Sequence, residues 1–160
     1  MRERVAFFSG SFDPFTRGHA AIVEQSLRLF DRVVVGVGVN VNKCGLLSAE
    51  QRVRLIEELY QAEPRVDVVA YRGLTGDEAL RIGASALVRG VRNTVDFELE
   101  RTMESMNRRL YGDLQTVLLL TPADVADISS SCVRELLAFG RSVEELMPEG
   151  VEIRDYLDKK

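Results

Sequence analysis

The sequence is poor in the residues that build metal centres and disulfide-stapled folds. Its 160 residues include one histidine, His19, and two cysteines, Cys44 and Cys132, which are not spaced as a CxxC pair or any other metal-binding pattern. Zinc sites need several such ligands at short spacing, and free thiols are the ordinary state of cysteine in the cytosol. We therefore expect neither a cysteine-based metal site nor a disulfide framework.

Long apolar segments are also missing. No run approaches the roughly 20 apolar residues that a membrane-spanning helix needs. The N-terminal stretch, MRERVAFFSGSFDP, contains only a four-residue apolar run, at residues 5–8, which is too short for a secretion signal. We therefore expect a cytoplasmic protein.

An excess of positive charge is absent as well. The chain has 21 Lys and Arg against 25 Asp and Glu, for a net charge of −4. This balance argues against broad binding to nucleic acid or anionic membranes, so any anion site must be a local cluster of basic residues. The composition is 46% hydrophobic and predicts a globular protein with one domain, residues 1–160.

The apolar pattern predicts five strands that alternate with helices. Runs typical of buried strands cover Arg4–Phe8, Arg32–Val39, Arg65–Ala70, Ala84–Arg89 and Gln115–Leu120. Amphipathic runs predict helices at residues 17–30, 48–61, 77–82, 94–111 and 132–139, with one or two short helices near the end. This alternation is typical of an α/β fold with a parallel sheet and right-handed crossovers.

The stretch Gly10–His19, GSFDPFTRGH, joins the first predicted strand to the first predicted helix. Pro14 disfavours helix at Asp13, and Thr16 has the side chain of an N-cap. A helix N-terminus presents free N–H groups and a partial positive charge, so a short loop from a buried strand into a helix is a common phosphate site. We hypothesise that this stretch binds the phosphates of a nucleotide.

Polar residues follow the other predicted strands too. Ligands of open α/β sheets bind outside the carboxyl ends of the strands. The residues that follow the five strands here are Gly10, Ser11 and His19; Lys43; Leu74 and Thr75; Arg89 and Arg92; and Ser129–Ser131. Three basic residues and several hydroxyl groups thus converge on one edge of the sheet, which predicts an anion site there.

Each of these residues also has an ordinary structural interpretation. A lone histidine at a helix start can be a cap or a surface residue, and glycines at positions 10 and 18 can serve tight turns. Arg89 and Arg92 can be solvated, Ser129–Ser131 can be no more than an N-cap, and Lys43 is the weakest signal of the set. Their occurrence together at matching strand ends favours the functional interpretation.

Three motifs resemble those of a known enzyme family, in the same order along the chain. Gly10–His19 resembles the G-T-F-D-P…(T/H)-x-G-H signature of the nucleotidyltransferase superfamily. Residues 89–107, RGVR…DFELE…MN, resemble the R-G-(L/I/V)-R…D-F-E-x-E…M-N block of bacterial phosphopantetheine adenylyltransferases. Residues 128–134, ISSSCVR, resemble the I-S-S-(S/T)-x-x-R motif. The first motif indicates nucleotidyl transfer, and the second narrows the resemblance to this family.

The resemblance implies a fold, a reaction and partners. The fold would be Rossmann-like, a doubly wound five-stranded parallel sheet with helices on both faces. The reaction would transfer the adenylyl group of ATP to 4′-phosphopantetheine, giving dephospho-coenzyme A and pyrophosphate, the penultimate step of coenzyme A synthesis. Bacterial members of the family are typically homohexamers and use Mg²⁺, so both are expected here, with no metal ligand assigned.

The resemblance and the chemistry of adenylyl transfer also imply the site residues. The expected catalytic residues are Ser11, His19, Lys43 and Arg92. The expected acceptor-binding residues are Ser11, Lys43, Leu74, Thr75, Arg89 and Asn107. The expected nucleotide-binding residues are Ser11, Phe12, His19, Gly90, Val91, Arg92, Glu100, Val125, Ala126, Asp127, Ile128, Ser129, Ser130 and Ser131.

Each set has an expected role. His19 would contact the α-phosphate, Ser11 would bridge the two substrates, and Lys43 with Arg89 would hold the acceptor phosphate. The β- and γ-phosphates would contact Arg92 and the serines at 129–131, a ribose hydroxyl would contact the glutamate at position 100, and adenine would contact the loop at 125–128. Because the attacking group is already an anionic phosphate, no strong general base is required.

The sequence departs from the family pattern in two places. Ser11 stands where threonine is usual, which keeps the hydroxyl but frees its χ1 angle. Cys44 and Gly45 stand where basic residues or proline are common, which leaves the shape of that loop open. Two other functions remain open from the sequence: another nucleotidyltransferase of the superfamily, acting on nicotinate mononucleotide or a small alcohol phosphate, and a non-catalytic nucleotide-binding regulator.

Overall fold

A computed structural model describes residues 3–40, 42 and 44–157. Within them the chain forms a five-stranded sheet with the order β3-β2-β1-β4-β5, and every neighbouring pair is parallel. The strands are β1 Val5–Gly10, β2 Arg32–Gly38, β3 Val66–Tyr71, β4 Ala86–Val91 and β5 Gln115–Leu120. The parallel α/β sheet predicted from the sequence is therefore confirmed.

Helices connect the strands and cover both faces of the sheet. They are α1 Arg17–Leu29, α2 Ala49–Leu59, α3 Thr75–Arg81, α4 Thr94–Tyr111 and α5 Ser130–Ala138, followed by 3₁₀ turns at Glu144–Leu146 and Ile153–Tyr156. Alternate β1 residues point to opposite faces: Phe8 packs into a cluster with residues of α1, α2 and α5, and Phe7 packs into a second cluster with residues of α3. The doubly wound arrangement is thus confirmed.

Several strands and helices end at other residues than their sequence pattern predicts. The fourth strand was predicted to end at Arg89, but β4 runs on through Val91, because β5 supplies backbone partners as far as Leu120. Arg89 therefore projects from within a strand instead of following it. Similarly, β1 continues to Gly10, which pairs with β2.

Helix ends follow their capping chemistry. Ser48 caps α2 by accepting a hydrogen bond from the Gln51 N–H, and the Gln51 side chain accepts one from the Ser48 N–H, which confirms the predicted capping box. The last long helix was predicted to begin at Cys132 but begins at Ser130, because Ser129 is its cap and accepts from the Cys132 N–H.

The order of the strands fixes where a ligand can bind. From β1 the chain moves outward to β2 and β3, then crosses back to place β4 and β5 on the other side of β1. Connections on the two sides diverge at this reversal, so a crevice opens between the carboxyl ends of β1 and β4. The carboxyl ends of β1, β4 and β5, with the segments that follow them, carry most of the residues predicted from the sequence to form the site.

Helix α4 leaves an apolar stripe in contact with solvent. Leu99, Met103, Met106 and Leu110 follow the helical spacing predicted from the sequence, but each side chain is between 50% and 62% exposed. The stripe does not pack into the core of this chain. None of the helices in the described ranges has the length and apolar composition to cross a membrane.

Candidate active site

A cavity of about 400 Å³ lies at the crevice between β1 and β4. Its walls come from the loop after β1, the start of α1, the end of β4, the first turns of α4 and the start of α5. Among its lining residues are the predicted site residues Ser11, Phe12, His19, Arg89, Gly90, Arg92, Glu100, Ile128, Ser129, Ser130 and Ser131. The structure therefore brings together residues that lie more than a hundred positions apart.

Packing of aromatic rings stabilises the conformation of the loop after β1. Phe12 has a φ of 49°, in the left-handed region that side chains rarely adopt. Its ring packs edge-on to Phe8 and lies against Phe15, with centroid distances of 5.2 and 5.3 Å. A Cβ at Gly10 would stand 3.0 Å from the Phe12 ring, so Gly10 gives the ring the space it occupies.

Asp13 ties this loop to the segment before α2. Its two carboxylate oxygens accept hydrogen bonds from the backbone N–H groups of Leu46 and Leu47, both at 2.8 Å. Gly45 lies directly against the carboxylate, since a Cβ there would stand 2.6 Å from Oδ2. Lys43, predicted to bind the acceptor phosphate, lies outside the described residues.

Thr16 fixes the orientation of His19. The backbone N–H of Thr16, the residue before α1, donates to His19 Nδ1 at 3.0 Å, and the Thr16 hydroxyl lies 3.1 Å from the same nitrogen. Nδ1 therefore acts as an acceptor, and in the neutral ring the proton is on Nε2. His19 lines the cavity as a neutral hydrogen-bond donor.

His19 is held in its neutral form by its surroundings. Three phenylalanine rings, of Phe8, Phe12 and Phe15, lie within 6.3 Å of the imidazole centroid. Burial first, and then the positive charges of Arg92 and Arg89, lower the pKa of His19 to about 4. A charged imidazole would lose its hydration and would be repelled by the two arginine cations. The ring is therefore neutral at pH 7.

Arg89 and Glu100 form an ion pair at the inner wall of the cavity. Arg89 Nε lies 2.9 and 3.0 Å from the two Glu100 oxygens, and Nη1 donates to the backbone carbonyl of Ser9. The Glu100 side chain is only 9% exposed. Both residues were predicted from the sequence to lie in the site, but their ion pair was not predicted. The ion pair depends on how α4 crosses the end of β4.

Arg92 is oriented by the carboxylate of Asp96. Its Nε donates to Asp96 Oδ2 at 2.9 Å, one turn further along the chain. Hydrogen bonds from Arg92 hold the pKa of the Asp96 carboxyl below its usual value. Arg92 thus presents a fixed positive charge to the cavity, with Asp96 beside it on the same wall.

The hydroxyl groups of Ser129–Ser131 each make a hydrogen bond within the chain and can still make another. Ser129 caps the helix, Ser130 Oγ donates to the Pro14 carbonyl at 2.8 Å, and Ser131 Oγ accepts from Arg134 at 3.1 Å. The N-cap interpretation is therefore correct for Ser129, and it is compatible with anion binding, because the N-terminal N–H groups of α5 still lie at the cavity.

Arg134 is a cavity residue to which the sequence analysis assigned no role. It lines the cavity, and its Nη1 donates to the backbone carbonyl of Asp13 at 2.6 Å. The signal was present, since Arg134 is the final residue of the ISSSCVR motif. Sequence spacing gives no indication, however, that its guanidinium reaches back 121 positions to the loop after β1.

A second cavity of about 230 Å³ adjoins the first. It shares three lining residues with it: Ser9, Arg89 and Glu100. Its other walls come from the start of α3, the inner side of α4 and β5, and they include the predicted residues Leu74, Thr75 and Asn107. Most of the remaining lining is apolar, including side chains of the α4 stripe, so this cavity suits a long, mainly apolar group.

Some predicted nucleotide-binding residues line neither cavity. Val91 is buried in β4, and Val125, Ala126 and Asp127 form the loop before α5. That loop lies against the start of α1, because a Cβ at Gly18 would stand 3.5 Å from the carbonyl oxygens of both Val125 and Ile128.

The chain is similar in sequence to characterised families. The cytidylyltransferase-like family model matches residues 7–136. The phosphopantetheine adenylyltransferase of Porphyromonas gingivalis is 51% identical over 150 residues, which cover 94% of this chain and 97% of that protein. The enzymes of the same name from Phocaeicola vulgatus and Latilactobacillus sakei are 47% and 45% identical, over 94% and 96% of this chain and 99% and 93% of those proteins.

The neutral state of His19 can be measured directly, because it is the only histidine. In the untagged protein without ligands, the Cε1–H NMR signal should stay constant from pH 8 to below pH 6 and titrate with a midpoint near 4. Replacing Arg92 with Gln should raise this midpoint, since one of the two cations is removed. A midpoint near the ordinary value of 6.5 would contradict the assignment.

Proposed function

The chain belongs to the phosphopantetheine adenylyltransferase family, within the cytidylyltransferase-like proteins, and we propose that its two adjoining cavities hold ATP and 4′-phosphopantetheine for direct adenylyl transfer. It is a nucleotidyltransferase, and the reaction yields dephospho-coenzyme A and pyrophosphate in coenzyme A synthesis. The observation that carries this assignment is the shared wall of Ser9, Arg89 and Glu100, because transfer between two substrates requires their reacting ends to meet.

The larger cavity fits the nucleotide. Its wall combines the neutral donor His19, the cation of Arg92, and the N-termini of α1 and α5, all of which are suited to polyphosphate. In the proposal, His19 donates from Nε2 to the α-phosphate, and Arg92 with Ser129–Ser131 binds the β- and γ-phosphates. Adenine lies toward the loop at 125–128.

The ribose contact predicted for Glu100 requires a carboxylate lone pair that Arg89 does not occupy. Both carboxylate oxygens are engaged by Arg89 in the structure, but each carboxylate oxygen has a second lone pair that can accept a hydroxyl. The ion pair therefore orients the carboxylate for this contact.

The smaller cavity fits the acceptor. It meets the larger cavity at Arg89, which together with Lys43 would hold the phosphate of 4′-phosphopantetheine. The pantetheine arm would then run along the apolar lining past Leu74 and Thr75, with Asn107 offering an amide to the amides of the arm. Arg89 is the natural place for the acceptor phosphate because it borders both cavities.

The proposed chemistry is a single displacement. An oxygen of the acceptor phosphate attacks the α-phosphorus of ATP, a new P–O bond forms, and the bond to the leaving pyrophosphate breaks with its electron pair. No proton has to be removed from the attacking group, and no covalent enzyme intermediate forms. The protein aligns two anions and stabilises the charge that develops on the α-phosphate, which are the main sources of rate in phosphoryl-type transfers.

The described residues contain no group of three or more His, Cys, Asp or Glu side chains placed to hold a metal, and the cavity carboxylates Asp96 and Glu100 are each bound by an arginine. We propose that Mg²⁺ enters as part of the nucleotide substrate, bound by ATP phosphates. Mg²⁺ commonly binds substrate phosphates and keeps several waters.

The exposed stripe on α4 supports the expected assembly. Leu99, Met103, Met106 and Leu110 form a contiguous apolar row, and large exposed apolar patches commonly mark contact surfaces. We propose that a second copy of this chain covers the stripe and that the complete assembly is the homohexamer implied by the family resemblance. The cytoplasmic location and the single domain over residues 1–160 stay predictions.

An assay of pyrophosphate release tests the proposed function. The purified chain should release pyrophosphate from MgATP when 4′-phosphopantetheine is present, and far more slowly with nicotinate mononucleotide or glycerol 3-phosphate, which lack the pantetheine arm. A preference for one of these other acceptors would favour a different nucleotidyltransferase. ATP binding without turnover on any acceptor would favour the regulator.

Replacement of His19 tests the donor role. The His19→Ala variant should lower kcat by on the order of 10²-fold or more, as loss of a transition-state donor does, with a much smaller change in KM for ATP. Its unfolding midpoint should be compared with the wild type to exclude collapse of the phenylalanine cluster. A kcat equal to that of the wild type would refute the assignment.

Replacement of the two arginines separates the two substrates. Arg89→Ala should raise KM for 4′-phosphopantetheine more than KM for ATP, because Arg89 borders the acceptor cavity, and Arg92→Ala should do the opposite. Initial rates with each substrate varied in turn give both values. The reverse pattern would mean that the two arginines exchange their proposed roles.

A further inference from the structure

Arg52 on α2 contacts the loop after β1 from outside the cavity. Its Nη1 donates to the backbone carbonyl of Ser11 at 2.7 Å and lies 3.4 Å from the carbonyl of Gly38. Its Nε donates to the Ser48 carbonyl at 3.2 Å, one turn earlier. Among the ion pairs of the described residues, none involves Arg52. The guanidinium therefore binds backbone carbonyls from three segments and no carboxylate.

These contacts connect three elements that meet at the site. Ser11 directly follows β1, Gly38 is the last residue of β2, and Ser48 caps α2. A guanidinium is a planar group whose N–H directions are fixed. One side chain therefore sets the position of the Ser11 carbonyl relative to both the sheet and α2.

The direction of the Ser11 carbonyl also sets the direction of the next N–H. The peptide bond between Ser11 and Phe12 is trans, so its carbonyl and its N–H point to opposite sides. Arg52 holds the carbonyl, and the N–H of Phe12 is directed away from Arg52. Phe12 lines the nucleotide cavity, and its N–H makes no hydrogen bond within the described chain.

The loop needs this support because its conformation is unfavourable in isolation. Phe12 has a φ of 49°, and non-glycine residues in this region persist only where neighbouring contacts hold them. Arg52 binds the carbonyl before Phe12, and Arg134 binds the carbonyl after it, at Asp13. The strained residue is thus fixed on both sides by arginine.

We propose that Arg52 is a positioning residue for adenylyl transfer, which orients the Ser11 hydroxyl and the Phe12 N–H toward the phosphates of ATP. This inference rests on the proposed function and adds a residue from outside both cavities. Arg52 itself touches neither substrate, so its effect must pass through the Ser11–Phe12 peptide.

The first test replaces Arg52 with Met and with Lys. Both variants should lower kcat about 10-fold or more, since small misplacements of catalytic groups are costly, and should change KM for 4′-phosphopantetheine by a much smaller factor. The Lys variant keeps the charge but has a single ammonium that cannot bind the Ser11 and Gly38 carbonyls in the same geometry. A kcat in Arg52→Lys equal to the wild type would show that charge is sufficient and would overturn the positioning role.

Arg54→Met is the matched control. Arg54 lies on the same helix, donates to the Asp155 carbonyl at 3.0 Å and stands over the Tyr156 ring at 4.8 Å, so these contacts are with the last 3₁₀ turn and not with the loop after β1. This variant should lower the unfolding midpoint without lowering kcat. If Arg52→Met lowers kcat no more than Arg54→Met does, Arg52 is a structural residue only.

A double-mutant cycle with Ser11→Ala decides whether the effect passes through Ser11. The loss of kcat in the double variant should be clearly smaller than the product of the two single losses, because the residues act as one unit. Losses that multiply would overturn the part of the inference that concerns the Ser11 hydroxyl, because alanine keeps the Phe12 N–H, while leaving the proposed function intact. A wild type without turnover in the same assay would overturn the proposed function and this inference together.

Discussion

The ion pair between Arg89 and Glu100 is the contact on which the site depends. Arg89 leaves the sheet from within β4, and Glu100 comes from the second turn of α4, so the pair fixes the helix across the carboxyl end of the strand. The additional bond to the Ser9 carbonyl extends the link to β1. These three residues form the wall common to both cavities. A contact that links β1, β4 and α4 therefore also sets the distance between the two cavities.

The site concentrates positive charge in a protein that is acidic overall. The net charge is −4, yet Arg89, Arg92 and Arg134 all line one cavity. Each is bound by a carboxylate or a backbone carbonyl, which fixes its direction without neutralising the whole cluster. His19 is the exception, because burial, and then the charges of Arg92 and Arg89, lower its pKa and disfavour a fourth positive charge. The donor nearest the proposed reacting phosphate is therefore neutral, and the proposed displacement requires no proton transfer from it.

The sequence predicted the fold and the elements that carry the site, but not the contacts among the site residues. β-Branched runs and capping residues located all five described strands and five α-helices, because those signals are local. The end of β4 was wrong because strand length depends on its partner β5. The contacts of Arg52, Arg134 and Asp13 were missed because each side chain bonds to a backbone group 33 to 121 positions away, and sequence spacing carries no information on such pairs. The apolar row on α4 was found, but its exposure is a property of the folded chain.

The departures from the family pattern have different physical consequences. Ser11 keeps a hydroxyl, and Arg52 holds its backbone, so the freedom gained at χ1 is limited to the side chain. Gly45 is explained by Asp13, whose carboxylate occupies the space where a Cβ would stand. A residue with a side chain at position 45 would require the carboxylate to move and would disturb its bonds to Leu46 and Leu47. The path of this segment beside the loop after β1 is thus set by Asp13, and glycine at position 45 leaves room for the Asp13 carboxylate.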